Sequence, residues 1–187
     1  MRRLAPALTA WGAVVVAGCA HTSATNTVEV PPRSLNGRVF IMEAVGAQRT
    51  AIEDGRTIQK VQGFPPPAGE FITDYILAVV RQWHPDAELV ATPFLGDAVR
   101  SAVDRGAGYL LVPEVRDWYD AETQYTGVRD RIEIELRLLQ LRPRATVASV
   151  IFKKRSGVLA IHDHSPTRLL DHTFTAAIRQ LLVGVRQ

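Results

Sequence analysis

Residues 131–138 read Arg-Ile-Glu-Ile-Glu-Leu-Arg-Leu, with Ile132, Ile134, Leu136 and Leu138 in one phase and Arg131, Glu133, Glu135 and Arg137 in the other. A period of two puts the two sets on opposite faces of a β-strand, a separation that no helix can produce. The chain therefore needs a sheet with one apolar and one wet face, and further elements to bury the apolar one. Val147 to Arg155 is the expected antiparallel neighbour, reached across Arg142-Pro143-Arg144-Ala145. Tyr109 to Trp118 starts as a continuous apolar run, which suits a strand buried on both faces; Pro113 removes one ladder donor, so a bulge or an unpaired edge is expected there.

The covering layer is also legible. Phe71, Ile72, Tyr75, Ile76, Val79, Val80 and Trp83 recur at helical spacing over Glu70 to Trp83. A second helix is expected over Leu95 to Arg105, with Ala98, Val99, Ala102 and Val103 inward and Gly106 as its cap. Ser165-Pro166 reads as the start of a last helix, whose stripe is Leu169, Leu170, Phe174, Ala177, Ile178, Leu181, Leu182 and Val185. Arg38 to Val45 and Leu89 to Ala91 supply two more strands, and Asp54-Gly55 suits a short hairpin in the long loop ending at Gly69. The expected fold class is a single-domain α/β (α+β) sandwich, a mixed sheet in the order β-α-β-α-β-β-β-α over residues 37–187. With 47% hydrophobic residues and a mean hydropathy of +0.01, the chain can fill such a core without being a membrane bundle.

The N-terminus reads as an address. Arg2 and Arg3 precede the apolar stretch Leu4 to Val16 and the small pair Ala17-Gly18, the pattern of a secretory signal peptide over residues 1–18. As a helix that stretch covers about 20 Å, short of a hydrocarbon core of roughly 30 Å. Val16-Ala17-Gly18-Cys19 resembles the bacterial lipobox, and Cys19 is the only cysteine, so it cannot belong to an internal disulfide and suits an acylation point. Two or more acyl chains of the palmitate kind give lasting attachment, at roughly 0.8 kcal/mol per buried CH₂. The resemblance implies a mature chain starting at Cys19. Ala20 in place of aspartate implies the periplasmic face of the outer membrane, with the inner membrane as the alternative. Residues 19–36 read as a lipidated, solvated tether, with a reach on the order of 20 Å.

Removing Arg2 and Arg3 from the 22 basic residues leaves 20 against 19 acidic ones, so the formal +3 falls to +1. Apart from Lys153-Lys154-Arg155 the cations are scattered, and no nucleic-acid partner is expected.

The block Gly106-Ala-Gly-Tyr-Leu-Leu-Val-Pro-Glu-Val with Trp118, followed by Asp130-Arg-Ile-Glu-Ile-Glu-Leu-Arg-Leu-Leu, resembles an uncharacterised bacterial lipoprotein family, domain of unknown function 4823. Asp163-His164 with Pro166 resembles that family's ending. More distantly, the helix, glycine turn and Tyr-Leu-Leu-Val-Pro-Glu strand resemble the α/β domains of periplasmic assembly proteins: the amino-terminal domain of TolB, the curli-secretion lipoprotein and lipoprotein activators of penicillin-binding proteins. Neither resemblance implies catalytic residues, and fold alone does not fix function.

Few residues suggest chemistry. Gly106-Ala107-Gly108 follows a helix and precedes a strand, the reverse of a phosphate-cradling loop. His162, Asp163, His164, Asp171 and His172 form the one cluster with metal-ligand residue types, which a polar loop entering a helix explains as well. Glu114, Asp117, Asp120 and Glu122 bracket Trp118 and Tyr119, as an acid/base pair in a glycan cleft would, but Glu133 and Glu135 extend the same charges along an ordinary wet strand. No G-x-S-x-G elbow occurs. The segment Trp118 to Val128, with Trp118, Tyr119 and Tyr125, is long for a hairpin connection and is the candidate binding loop, although aromatics that simply cover the end of the sheet are the more ordinary explanation. The leading expectation is a non-catalytic, cofactor-free, lipid-anchored module that binds an envelope protein or peptidoglycan. The alternative is a metal-dependent or cell-wall hydrolytic enzyme using His162, His164 and His172.

Overall fold

The computed structural model describes residues 22–27, 35–46, 48–53, 56–61, 66–119, 130–156 and 166–183. In chain order these form β1 (Thr22–Thr27), β2 (Val39–Met42), β3 (Val45–Gly46), β4 (Gln48–Glu53), β5 (Arg56–Val61), α1 (Pro66–Val80), β6 (Glu88–Val90), α2 (Leu95–Asp104), β7 (Tyr109–Tyr119), β8 (Arg131–Leu141) and β9 (Arg144–Arg155), then a 3₁₀ turn over Pro166–Leu169 and α3 (His172–Val183). One seven-stranded mixed sheet runs β1-β9-β8-β7-β2-β6, with β3 also on β7, and β4 pairs with β5 as a separate hairpin. The expected single-domain α/β sandwich on a mixed sheet is what forms, and β4 pairs with β5 in a register that ends with Glu53 opposite Arg56; Asp54-Gly55, expected to turn a hairpin, lies outside the described residues.

The alternation in β8 fixes the layers. Ile132, Ile134, Leu136 and Leu138 join Val150 and Phe152 of β9 and Leu111 and Val115 of β7 in a face covered by α1 and α3. Phe174 of α3 lies 4.8 Å from Phe152 and 5.7 Å from Tyr75, ring centre to ring centre. The opposite face is apolar at one end only, where α2 lays Ala98 and Ala102 over Phe40, Leu110, Val112, Leu139 and Leu141. Small residues on α2 allow that close approach. Gly106 then leaves the helix at φ +77°, and Gly108 passes so near Gly37 that a Cβ on it would sit 3.3 Å from the Gly37 Cα.

Three local expectations change, and of the two outcomes expected at Pro113 the unpaired one is met, on the flank away from β8. The first helix begins at Pro66, not Glu70, because proline's fixed φ and missing N–H are harmless in a first turn. Pro113 sits where β2 gives way to β3 on one flank of β7, while the bulge falls two residues later, between Val115 and Asp117. Thr22–Thr27, within the stretch read as a tether, lies along β9 as an edge strand from Thr22 opposite Lys154 to Thr27 opposite Ser149; its threonines favour extended backbone. The last α-helix starts at His172 and not at Ser165-Pro166. Asp171 is its cap: the carboxylate accepts the Thr173 N–H at 2.9 Å and the Thr173 hydroxyl at 2.5 Å.

That cap is tied to the sheet. Lys154 shares the inward phase of Val150 and Phe152, is 7% exposed, and donates from Nζ to the Asp171 carboxylate. Burial pushes the Asp171 pKa up, but the hydrogen bonds from Lys154 and Thr173 and the lysine's charge outweigh it and bring the value down to about 2.

Two outcomes follow from this packing. Phe174→Ala removes a fully buried ring and is expected to cost about 3–5 kcal/mol, read by urea unfolding. Asp171→Asn keeps a capping group but leaves the Lys154 ammonium buried without its counter-charge, an expected loss of about 3 kcal/mol at pH 7 that Lys154→Met/Asp171→Asn partly restores. Because the folded carboxylate titrates near 2 and an unfolded aspartate near ~3.9, its contribution is complete above the unfolded value and lost as pH falls toward 2. A wild-type advantage over Asp171→Asn that stays constant from pH 5 to pH 2 would refute the pairing.

Candidate functional site

Beyond the edge of α2 the second sheet face carries charge. The β8 residues Arg131, Glu133, Glu135 and Arg137 meet Glu114, Arg116 and Asp117 of β7 and Lys153 of β9. The bulge after Val115 is what lets consecutive residues Arg116 and Asp117 both reach this face. Arg116 bonds Glu135 at 2.5 Å, Arg131 bonds Asp117 at 2.5 Å, Arg137 bonds Glu114 at 3.1 Å and Lys153 lies 3.1 Å from Glu133. Register sets Glu114 opposite Glu135 and Asp117 opposite Glu133, so like charges would repel across the strands without these four cations. The wet face foreseen from the alternation is thus a neutral lattice of crossed ion pairs. Glu114 and Asp117, weighed above as an acid/base pair, are each engaged by an arginine rather than by one another.

The aromatic residues at the end of β7 divide. Trp118 is half-buried and packs against the main core. Tyr119 is 38% exposed, and the Arg131 guanidinium stands over its ring at 4.9 Å from the centroid. Tyr125 and the rest of the loop to 129 lie outside the described residues, as do Val16, Ala17, Gly18, Cys19, His162 and His164. His172 is described: it opens α3, its side chain is 88% exposed, and its Nδ1 lies 3.5 Å from Asp171. Among the described residues no three His, Cys, Asp or Glu side chains come together in a way that could hold a metal ion, and no helix is long and apolar enough to cross a membrane.

Two features escaped the sequence reading. The buried Lys154 was hidden in a basic run, although the phase shared with Val150 and Phe152 marks it as inward. At the far end of the sheet, Arg38 and Arg105 both pair with Glu88 and stand 5.2 and 4.6 Å from the centroid of the Phe40 ring. This set needs residues 50 and 17 positions from Glu88, a separation that no local pattern reports.

Comparisons with known proteins place this architecture. The PelC dodecamer from Paraburkholderia phytofirmans aligns at 14% identity over 89% of this chain and 100% of its own, with a TM-score of 0.59. A single-substitution variant of that dodecamer, in a second crystal form, aligns at 13% identity over 88% and 96%, with a TM-score of 0.56. Lipoprotein GNA1162 from Neisseria meningitidis aligns at 9% identity over 78% and 97%, with a TM-score of 0.47. At such identities the PelC likeness is one of fold. No curated protein matches the sequence. The model of a domain of unknown function, DUF4823, matches residues 71–181, from within α1 to within α3 and more than half of the 187 residues, and the chain belongs to that family.

Proposed function

We propose that this protein is a lipid-anchored, periplasm-facing lipoprotein of the outer membrane, acylated at Cys19, that acts as a non-catalytic binding or assembly module for an envelope protein or peptidoglycan. The observation that carries the reading is the N-terminal address: a charged start, a short apolar stretch, and the lone cysteine directly after Val16-Ala17-Gly18. The charged sheet face supports the non-catalytic part, because its four acids are committed to four cations in a structural lattice. PelC, which has this fold, assembles as a dodecamer, so self-association is the first form of assembly to test.

The binding end is the one where β7 and β8 open into the segment from Trp118 to Val128. Trp118 packs on the core, so replacing it would confuse stability with recognition. Tyr119 is the better probe, since its ring is exposed and its loss removes little packing.

Mass spectrometry of the mature N-terminal peptide is expected to find acylated Cys19, and Cys19→Ser is expected to remove the chain from the membrane fraction; an unmodified thiol on an intact Met1 chain would end the anchor reading. Tyr119→Ala/Tyr125→Ala is expected to reduce in-cell crosslinking to envelope components about tenfold with an unchanged melting temperature. Undiminished crosslinking would reject this end of the sheet as the binding surface.

A further inference from the structure

We propose that the sheet end formed by the start of β1, the end of β9, the start of β8 and the end of β7 lies against the membrane and contacts anionic phospholipid headgroups. The inference rests on acylation of Cys19 and adds an orientation to it; it also narrows the partner met by the Trp118 to Val128 segment, at this same end, to an envelope protein at the membrane surface rather than peptidoglycan. Register brings the residues together: Thr22 is opposite Lys154, Ser23 opposite Lys153, Arg131 opposite Arg155 and Tyr119 opposite Arg131. Cys19 precedes Thr22 by three residues, so their Cα atoms can be no more than about 11 Å apart whatever path the chain takes between them. With β1 fixed to β9, the anchor cannot give the domain the reach of a free tether.

Adjacent strands are about 4.8 Å apart, so β9, β8 and β7 carry Arg155, Arg131 and Tyr119 within roughly 15 Å of Thr22. The charges there are layered. Arg131 and Lys153 have side chains 45% and 49% exposed, whereas their acidic partners Asp117 and Glu133 are 14% and 23% exposed, so cations form the outer surface. Arg155 adds a further exposed cation. An exposed tyrosine ring beneath a guanidinium suits the interfacial zone, where an amphipathic ring and a cation both find partners. Charge alone would not choose this end, because Arg142 and Arg144 are exposed at the other. The anchor decides: β9 runs from Arg144 to Arg155, about 36 Å at strand rise, and only the Arg155 end lies near Thr22.

The test uses the full acylated protein, in which Cys19 carries lipid and an introduced cysteine is the single reactive thiol. Arg155→Cys and Arg142→Cys, both at exposed positions, are labelled with a fluorophore and reconstituted into phosphatidylethanolamine vesicles containing phosphatidylglycerol and a headgroup-labelled quencher lipid. Quenching at position 155 is expected to exceed that at position 142 at least threefold, and equal or reversed quenching overturns the orientation. Quenching at position 155 is expected to fall about twofold in vesicles without phosphatidylglycerol, and no change overturns the anionic contact. Mass spectrometry of the same preparation separates the premises: an acylated chain with equal quenching sinks the orientation alone, and an unacylated chain sinks the anchor with it.

Discussion

Strand β8 is paired on both sides over all but its last residue, to β7 and to β9, and the other layers depend on that double pairing. Its period-two sequence turns a hydrogen-bonded ladder into a two-faced surface. The apolar phase creates the demand that α1 and α3 meet, and the charged phase collects counter-ions from both neighbours. A slip of one residue would put four ionisable side chains into the core and four aliphatic ones on the polar face, so register is strongly specified. The bulge in β7 fits the same constraint, since it lets Arg116 and Asp117 face acids and bases that β8 has already fixed.

The helical layer is held partly by a charge. Most contacts of α3 are apolar and non-directional, and would tolerate small shifts along the sheet. The Lys154–Asp171 pair fixes the helix start to one position on β9, and the same carboxylate satisfies the Thr173 N–H at the helix terminus. One aspartate thus links cap, sheet and helix. Tyr75 of α1 completes the junction by donating its hydroxyl to the Asp171 carbonyl at 3.1 Å, which joins the two covering helices at one end.

Where local sequence carries the relevant physics, it was readable. The alternation of β8, the helical spacing over Phe71 to Val80, the glycine that closes α2 and the pairing of β4 with its sequence neighbour β5 are each determined by residues within one or two turns of each other. Readings failed where a distant partner decided. Ser165-Pro166 has the right chemistry for a helix start, yet Asp171 prevails because a lysine 17 positions earlier is there to hold it. Thr22–Thr27 has no apolar periodicity to mark it as a strand; the open edge of β9 supplies the hydrogen bonds that define it. Half of the candidate binding end was legible as an aromatic segment, but the separation of core-packed Trp118 from exposed Tyr119 depends on which face of β7 each occupies after the bulge.

Fold class and the N-terminal address pattern are legible from residue order alone, because both are carried by short-range order: periodicity in one case, a contiguous run of charge, apolar and small residues in the other. Where β1 lies relative to Lys153, Arg155, Arg131 and Tyr119, and which acid caps the last helix, emerge only when the strands are paired. Those relations join residues up to about 130 positions apart through strand register, and register follows from matching whole faces of a sheet rather than from any local pattern.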